Sequence, residues 1–315
     1  MIGFIIRRLI SIIPVLAVVA VVSFSIVHMA PGDPALMIAG EDASPADVQA
    51  IREKLGLDRP LPVQFGIYIG QLVRGDLGES LFFSYPVIQA IGERLEPTVM
   101  LTIFSLTIAI ILGVGAGILA AVRKNSVADR TVLVFSLFAL TMPNFWLALN
   151  LILLFSVTLG WLPASGYVSL EQGGLGAALR SLVLPSIALG LSQAALICRM
   201  TRSSVLEVFG QDFIRTARAK GVKQSVVLFR HVLRNALVPV VTVAGLAFAS
   251  LIGGSVVTET VFAIPGIGSL MVQSIFRRDY PVIQGTLILV ASVYVLVNLI
   301  VDMIYVALDP RISYG

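Results

Sequence analysis

Asp212-Phe213-Ile214-Arg215-Thr216-Ala217-Arg218-Ala219-Lys220-Gly221, followed by Arg230-His231-Val232-Leu233-Arg234-Asn235-Ala236-Leu237-Val238-Pro239, forms a polar island between two long apolar runs. From Arg199 to Arg234 there are eight Lys/Arg (Arg199, Arg202, Arg215, Arg218, Lys220, Lys223, Arg230, Arg234) against two acids, Glu207 and Asp212. Loops with such a basic excess stay on the cytoplasmic side of a membrane, so the island is expected to face the cytosol and to set the orientation of every other segment. Within it Leu206, Phe209, Phe213 and Ala217 recur at helical spacing, and Gly221 stands where a left-handed C-cap favours a residue without a side chain. The pattern predicts a helix, a turn and a helix in a cytoplasmic loop at 203–235, with a positive φ at Gly221. On charge alone the island also reads as an amphipathic segment lying on anionic headgroups.

Hydrophobic residues make up 57% of the chain and charged residues 13%, with a mean hydropathy of +0.96. This excludes an ordinary soluble globule and indicates an all-α polytopic membrane protein of one transmembrane domain, residues 1–315. The net charge of +4 is small and its basic residues sit in loops, so it speaks for topology and implies no nucleic-acid partner. Cys198, the single cysteine, falls in an apolar run, which leaves no intramolecular disulfide, cysteine cluster or redox pair.

Six apolar segments reach or approach spanning length, at about 9–29, 98–122, 131–159, 182–198, 236–258 and 286–308. Arg7 and Arg8 precede the first; its length reads as a retained span rather than a signal peptide. Residues 31–96 carry ten acids and five bases, and Arg123, Lys124 and Arg130 outnumber Asp129 in the next loop, so both termini are expected in the cytoplasm. The external loop at 31–96 is itself expected to be helical. Ser44-Pro45-Ala46-Asp47 has the form of an N-cap with proline at the first helical position, closed by Gly56, and a second pattern runs from Pro62 to Arg74.

Inside the spans, Gly113, Gly115 and Gly117 thin one helix face for close packing, and Pro143 is expected to kink the third span near Asn144. Asn144, Gln193, Glu259 and Asp302 are the polar candidates for lining a pathway; for Gln193 and Glu259 an interhelical hydrogen bond is the commoner role, and Asp302 reads equally as a group that reaches for the interface or pairs with a basic loop residue. No G-x-x-x-x-G-K-[ST] phosphate loop and no G-x-S-x-G elbow occurs, and His28 and His231 lack metal spacing. Catalytic, cofactor-binding and metal-ligating residues are therefore all expected to be absent. A transport subunit, a channel and a membrane enzyme remain open on these grounds.

Arg215-Thr216-Ala217, then after three residues Gly221, and Arg234-Asn235-Ala236-Leu237-Val238-Pro239 resemble the EAA loop of ABC-importer permeases in the dipeptide, oligopeptide and nickel branch. Other branches open Glu-Ala-Ala; here Arg215 and Thr216 replace the first two. His28-Met29-Ala30-Pro31-Gly32-Asp33-Pro34, Gly75-Asp76-Leu77-Gly78-Glu79-Ser80, Phe262-Ala263-Ile264-Pro265-Gly266-Ile267-Gly268 and Arg277-Arg278-Asp279-Tyr280-Pro281-Val282 resemble the same branch, so the likeness covers nearly the whole chain. The resemblance implies a permease subunit of a bacterial inner-membrane, binding-protein-dependent importer of peptides or similar small solutes. Nickel, glutathione or another non-peptide solute on the same architecture is the alternative. It also implies a second homologous permease, two cytosolic ATPases that hold ATP and Mg, an extracytoplasmic substrate-binding protein, and membrane lipid as partners. Arg215, Thr216, Ala217 and Gly221 would then form the coupling helix that seats on an ATPase, a non-enzymatic role for this chain. An ATP-independent channel is the rival reading.

The loop charges make a direct prediction in a Cys198→Ser background. Single cysteines at Ser44 and Gln172 should react with an impermeant thiol reagent from outside, and one at Gln224 only from inside. External labelling at 224 would invert the topology.

Overall fold

The structure is a computed structural model. It describes the backbone at 2–29, 35–36, 43–54 and 56–308; within these stretches the side chains of 2–9, 54, 302 and 305–308 lie outside the described set. The helices that matter for the site are α1 (Ile2–Met29), α2 (Pro45–Lys54), α3 (Leu61–Val73), α4 (Val87–Val122), α5 (Val127–Thr141), α6 (Asn144–Thr158), α7 (Leu170–Phe209), α8 (Asp212–Ala219), α9 (Gln224–Val261), α10 (Ile267–Arg277) and α11 (Tyr280–Leu308). Among the described residues five helices are long and apolar enough to cross a membrane, or six spans form when the bent pair α5 and α6 counts as one. Hydrocarbon offers the backbone no hydrogen-bond partner, and a helix satisfies its own groups, so an apolar chain of this kind becomes helical.

The chain divides into two compact units, Met1–Arg94 with Leu270–Val293, and Leu95–Ser269 with Tyr294–Gly315. In the first, α3 lies on the end of α1. Ser23 Oγ and Tyr68 OH are 2.8 Å apart, Phe24 meets Phe65 edge-on at 5.3 Å between ring centroids, and His28 Nε2 reaches Gln64 Oε1 at 3.1 Å. Burial holds the Tyr68 phenol above its usual range, against the opposing hydrogen bond from Ser23. The Ser44 hydroxyl caps α2 by accepting from Asp47 N, while Asp47 accepts from Ser44 in return, a capping-box arrangement. Buried Asp279 accepts hydrogen bonds from Ser80 Oγ and from the amides of Leu81 and Phe82, and Arg277 stacks 3.6 Å above the Phe82 ring.

In the second unit α7 is the central element. Ala178, Leu182, Leu184, Ala188, Leu189, Ile197 and Val205 on it are buried. It runs to Phe209, far beyond the span expected at 182–198, so Leu206 and Phe209 finish a long helix instead of forming a short one of their own. Small residues set how near its neighbours come. A Cβ on Gly113 would stand 2.6 Å from Ala194 O, one on Gly117 2.6 Å from Thr201 Cβ, and one on Gly190 2.6 Å from Ser105 O. Gly115 faces open space, so two of the three α4 glycines serve close packing and the third does not.

The segment expected as a single span at 131–159 is broken: α5 and α6 meet at 104°. The pyrrolidine of Pro143 forces the preceding residue out of the helical region, and Met142 accordingly takes φ −71, ψ 129. The far end of α6, Ile152–Thr158, is wound as a wide π turn, and a second π turn occupies Val227–Val232 within α9.

Overpacking a tight interface costs about 1–3 kcal/mol. Gly117→Leu should therefore lower the thermal unfolding midpoint in detergent by several degrees, whereas Gly115→Leu should leave it nearly unchanged. Equal effects of the two would mean that the glycine at 117 does not set the α4–α7 distance.

Candidate coupling helix and membrane groove

α8 is mounted on the spans by one side. Ile214 is 0% exposed and joins Ala121, Val205, Val227, Val232, Leu233 and Ala236 in a cluster that Ala217, Val222 and Phe209 pack against. Outward stand Phe213, Arg215, Thr216 and Lys220. Ala217 is thus a packing residue whose small size lets α8 sit close, while Arg215 and Thr216 are the members of the predicted set that face solvent. Arg215 pairs with Asp212 at 3.2 Å, but both are exposed and such pairs contribute little. Arg218 lies 5.2 Å over the Phe209 ring and ties α8 back to the end of α7.

The helix ends as its sequence predicts. Gly221 has φ +75; its N–H donates to Arg218 O at 2.9 Å, and Val222 N–H donates to Ala217 O at 3.2 Å. These two bonds around a left-handed glycine are a Schellman closure, and Val222 and Ala217 both pack against the buried cluster beneath it. A Cβ at Gly221 would meet nothing within 4 Å, so any penalty for substitution there comes from the backbone alone.

Near α8 lies an ion pair that sequence reasoning missed. Arg202 of α7 donates to both oxygens of Asp129, Nε to Oδ1 at 2.6 Å and Nη2 to Oδ2 at 2.8 Å. Their side chains are 21% and 3% exposed. Asp129 also accepts from Asn125 N and, through its own amide, binds the capping hydroxyl of Ser126. The local signal was legible as Ser126-x-x-Asp129 at a helix start; the arginine partner, 73 residues away, was not.

The pathway candidates separate. Gln193 lines a groove of about 560 Å³ between α7 and α9, with its Nε2 3.4 Å from Ser250 Oγ; Arg199, Ser203, Met200 and Leu246 share the lining. Of its two readings Glu259 takes the hydrogen-bonding one: it is 0% exposed, accepts from Thr98 Oγ1 at 2.7 Å and from Ser269 N at 2.9 Å, and so caps the start of α10. Asn144 is half-buried as the first residue of α6, directly at the Pro143 break. Asp302 falls outside the described side chains. At the other end of this unit Tyr167 OH donates to Glu96 at 2.7 Å. Burial, and then that carboxylate, keep the phenol well above its usual range and hence a permanent donor. Among the described residues no three of His, Cys, Asp and Glu come together as a metal site.

Residues 113–314 match the family model described as the binding-protein-dependent transport system inner membrane component, and residues 1–102 match that of its N-terminal region. A protein of Brucella abortus (strain 2308) named for a peptide transport system permease is 48% identical over 314 residues, covering 100% of both chains. The dipeptide transport system permease protein DppB of Alkalihalophilus pseudofirmus is 44% identical, and the glutathione transport system permease protein GsiC of Escherichia coli O6:H1 is 45% identical, each over 100% of both chains. Among solved structures, an inward-facing conformation of the MetNI methionine ABC transporter aligns with a TM-score of 0.58 at 23% identity, covering 70% of this chain and 97% of the other. That likeness shows the fold.

Removing one member of a buried ion pair strands the other and costs about 3 kcal/mol or more. Asp129→Ala should therefore lower the unfolding midpoint markedly. The double variant Asp129→Ala/Arg202→Met should lose less than the sum of the two single losses, the mark of direct coupling. Strict additivity in thermal melts would rule the pair out.

Proposed function

Because this chain belongs to the family of binding-protein-dependent transport system inner membrane components, and is thus a multi-pass permease subunit of an ABC importer, we propose that it imports peptides or chemically similar small solutes, glutathione among them. It works beside a second homologous permease, two cytosolic ATPases and an extracytoplasmic substrate-binding protein, with both termini in the cytoplasm. ATP and Mg belong to the ATPases. This chain contains no phosphate loop.

The observation that carries the reading is the mounting of α8. A short helix presenting Phe213, Arg215 and Thr216 to the cytosol is gripped from behind by Ile214 and Ala217 against the ends of α4, α7 and α9. A push on its outer face cannot be absorbed by a loose loop and passes to three spans together. Closure of an ATPase dimer against it would therefore move the spans as a body and alternate access, a two-state coupling of separate sites.

The Schellman glycine gives the test. A β-branched residue held in the left-handed region costs about 1–2 kcal/mol or more, without any steric clash at this position. Gly221→Val should leave the protein inserted with its external loops native, yet weaken ATPase co-purification or uncouple hydrolysis from uptake. If α8 were only a surface anchor, that change would be nearly silent while neutralising Arg215, Arg218 and Lys220 together would be severe. Normal coupling in Gly221→Val overturns the assignment.

A further inference from the structure

We propose that the groove between α7 and α9 is a water-filled stretch of the solute path in which Arg199 receives a carboxylate of the passing solute, an inference that rests on the importer reading above. α7 has two unlike faces. Ala194, Ile197, Cys198, Thr201 and Ser204 are buried, whereas Gln193, Leu196, Met200 and Ser203 form an open stripe at helical spacing. On α9 the facing wall is Val243, Leu246, Ala247 and Ser250, again three and four residues apart.

A lipid-covered face does not suit this set. Arg199 directly follows the apolar run expected to span at 182–198, and a guanidinium at that end of the groove keeps to water or protein rather than to hydrocarbon. Arg199 is the one charged side chain among the lining residues, and no carboxylate of the described residues pairs with it. The groove's volume of about 560 Å³ lies within the range of small-molecule sites. Gln193 and Ser250 meet at 3.4 Å, a weak contact that a competing amide can replace. A planar guanidinium takes a carboxylate by two parallel hydrogen bonds. Together these groups fit a small solute that carries a carboxylate and an amide.

The test uses the whole complex in inside-out vesicles, with Cys198→Ser and a single cysteine at Ser203 or Ser250. A negatively charged methanethiosulfonate sulfonate and a positively charged methanethiosulfonate ammonium are added from the cytoplasmic side. Both cysteines should react, with the anion favoured about ten-fold over its rate ratio on a free thiol, as expected where a positive charge concentrates anions. Arg199→Gln should cut that preference by about five-fold or more, and Lys124→Gln, an exposed loop cation elsewhere, should not. Millimolar alanyl-alanine should slow the reaction at position 203, and alanyl-alanine amide should not. Unreactive cysteines would show the groove covered by lipid or a subunit and overturn the proposal, as would a preference indifferent to Arg199 or equal action of the two peptides. Thiol reactivity does not depend on ATPase attachment, so a failed co-purification would strike the importer reading alone.

Discussion

The approach of α4 to α7 is set by absent side chains. Lipid tails are as apolar as leucine, so helices in a bilayer gain little from hiding apolar surface and associate through close contact instead. Gly113 lies against Ala194 O and Ile197, Gly117 against Cys198 O and Thr201, and Gly190 admits Ser105 O. Each is a contact a single methyl group would forbid. With α7 held at this distance, Ala109, Ala194, Ile197 and Val240 close into one cluster, and Leu101, Leu182, Leu184, Leu189 and Leu251 into another.

Where the helices depart from regularity, the freed groups find local partners. Met142 is extended before Pro143, yet its N–H still donates to Phe138 O, and Leu147 N–H donates to Pro143 O on the far side of the break. Glu259 takes the amide of Ser269 at the first turn of α10, where a carboxylate complements the positive end of the helix. Its other oxygen accepts from Thr98, whose Oγ1 in turn accepts from Ile267 N. Gly266 stands against the same carboxylate, so the residue that follows Pro265 in this turn has to be without a side chain. A polar residue that looks like a solute ligand in the linear sequence is here part of a folded corner.

The end of the spans that carries α8 is tied together by several contacts. Arg202 clamps the first turn of α5 to α7 through two charge-assisted hydrogen bonds, a geometry stronger than a single contact. α8 rests on the same end of α7 through Ile214 and through Arg218 over Phe209. The burial of Ile214 in this cluster distinguishes α8 from an amphipathic segment that only floats on headgroups.

The amino-acid sequence by itself determined the membrane class, the count of apolar segments, the caps at Ser44 and Gly221 and the break at Pro143. Each of these follows from hydropathy or from the backbone limits of serine, glycine and proline acting over a few residues. The family likeness was legible too, since its motifs are short and contiguous. Only the tertiary structure decided that Ala217 packs inward while Arg215 and Thr216 face out, that Glu259 is closed off, and that Asp129 belongs to Arg202. The same holds for the groove, where Gln193 and Arg199 meet Ser250 from another helix. Helical periodicity tells which residues share a face, but what that face meets depends on contacts between segments far apart in the chain, and pattern within one segment carries no record of them.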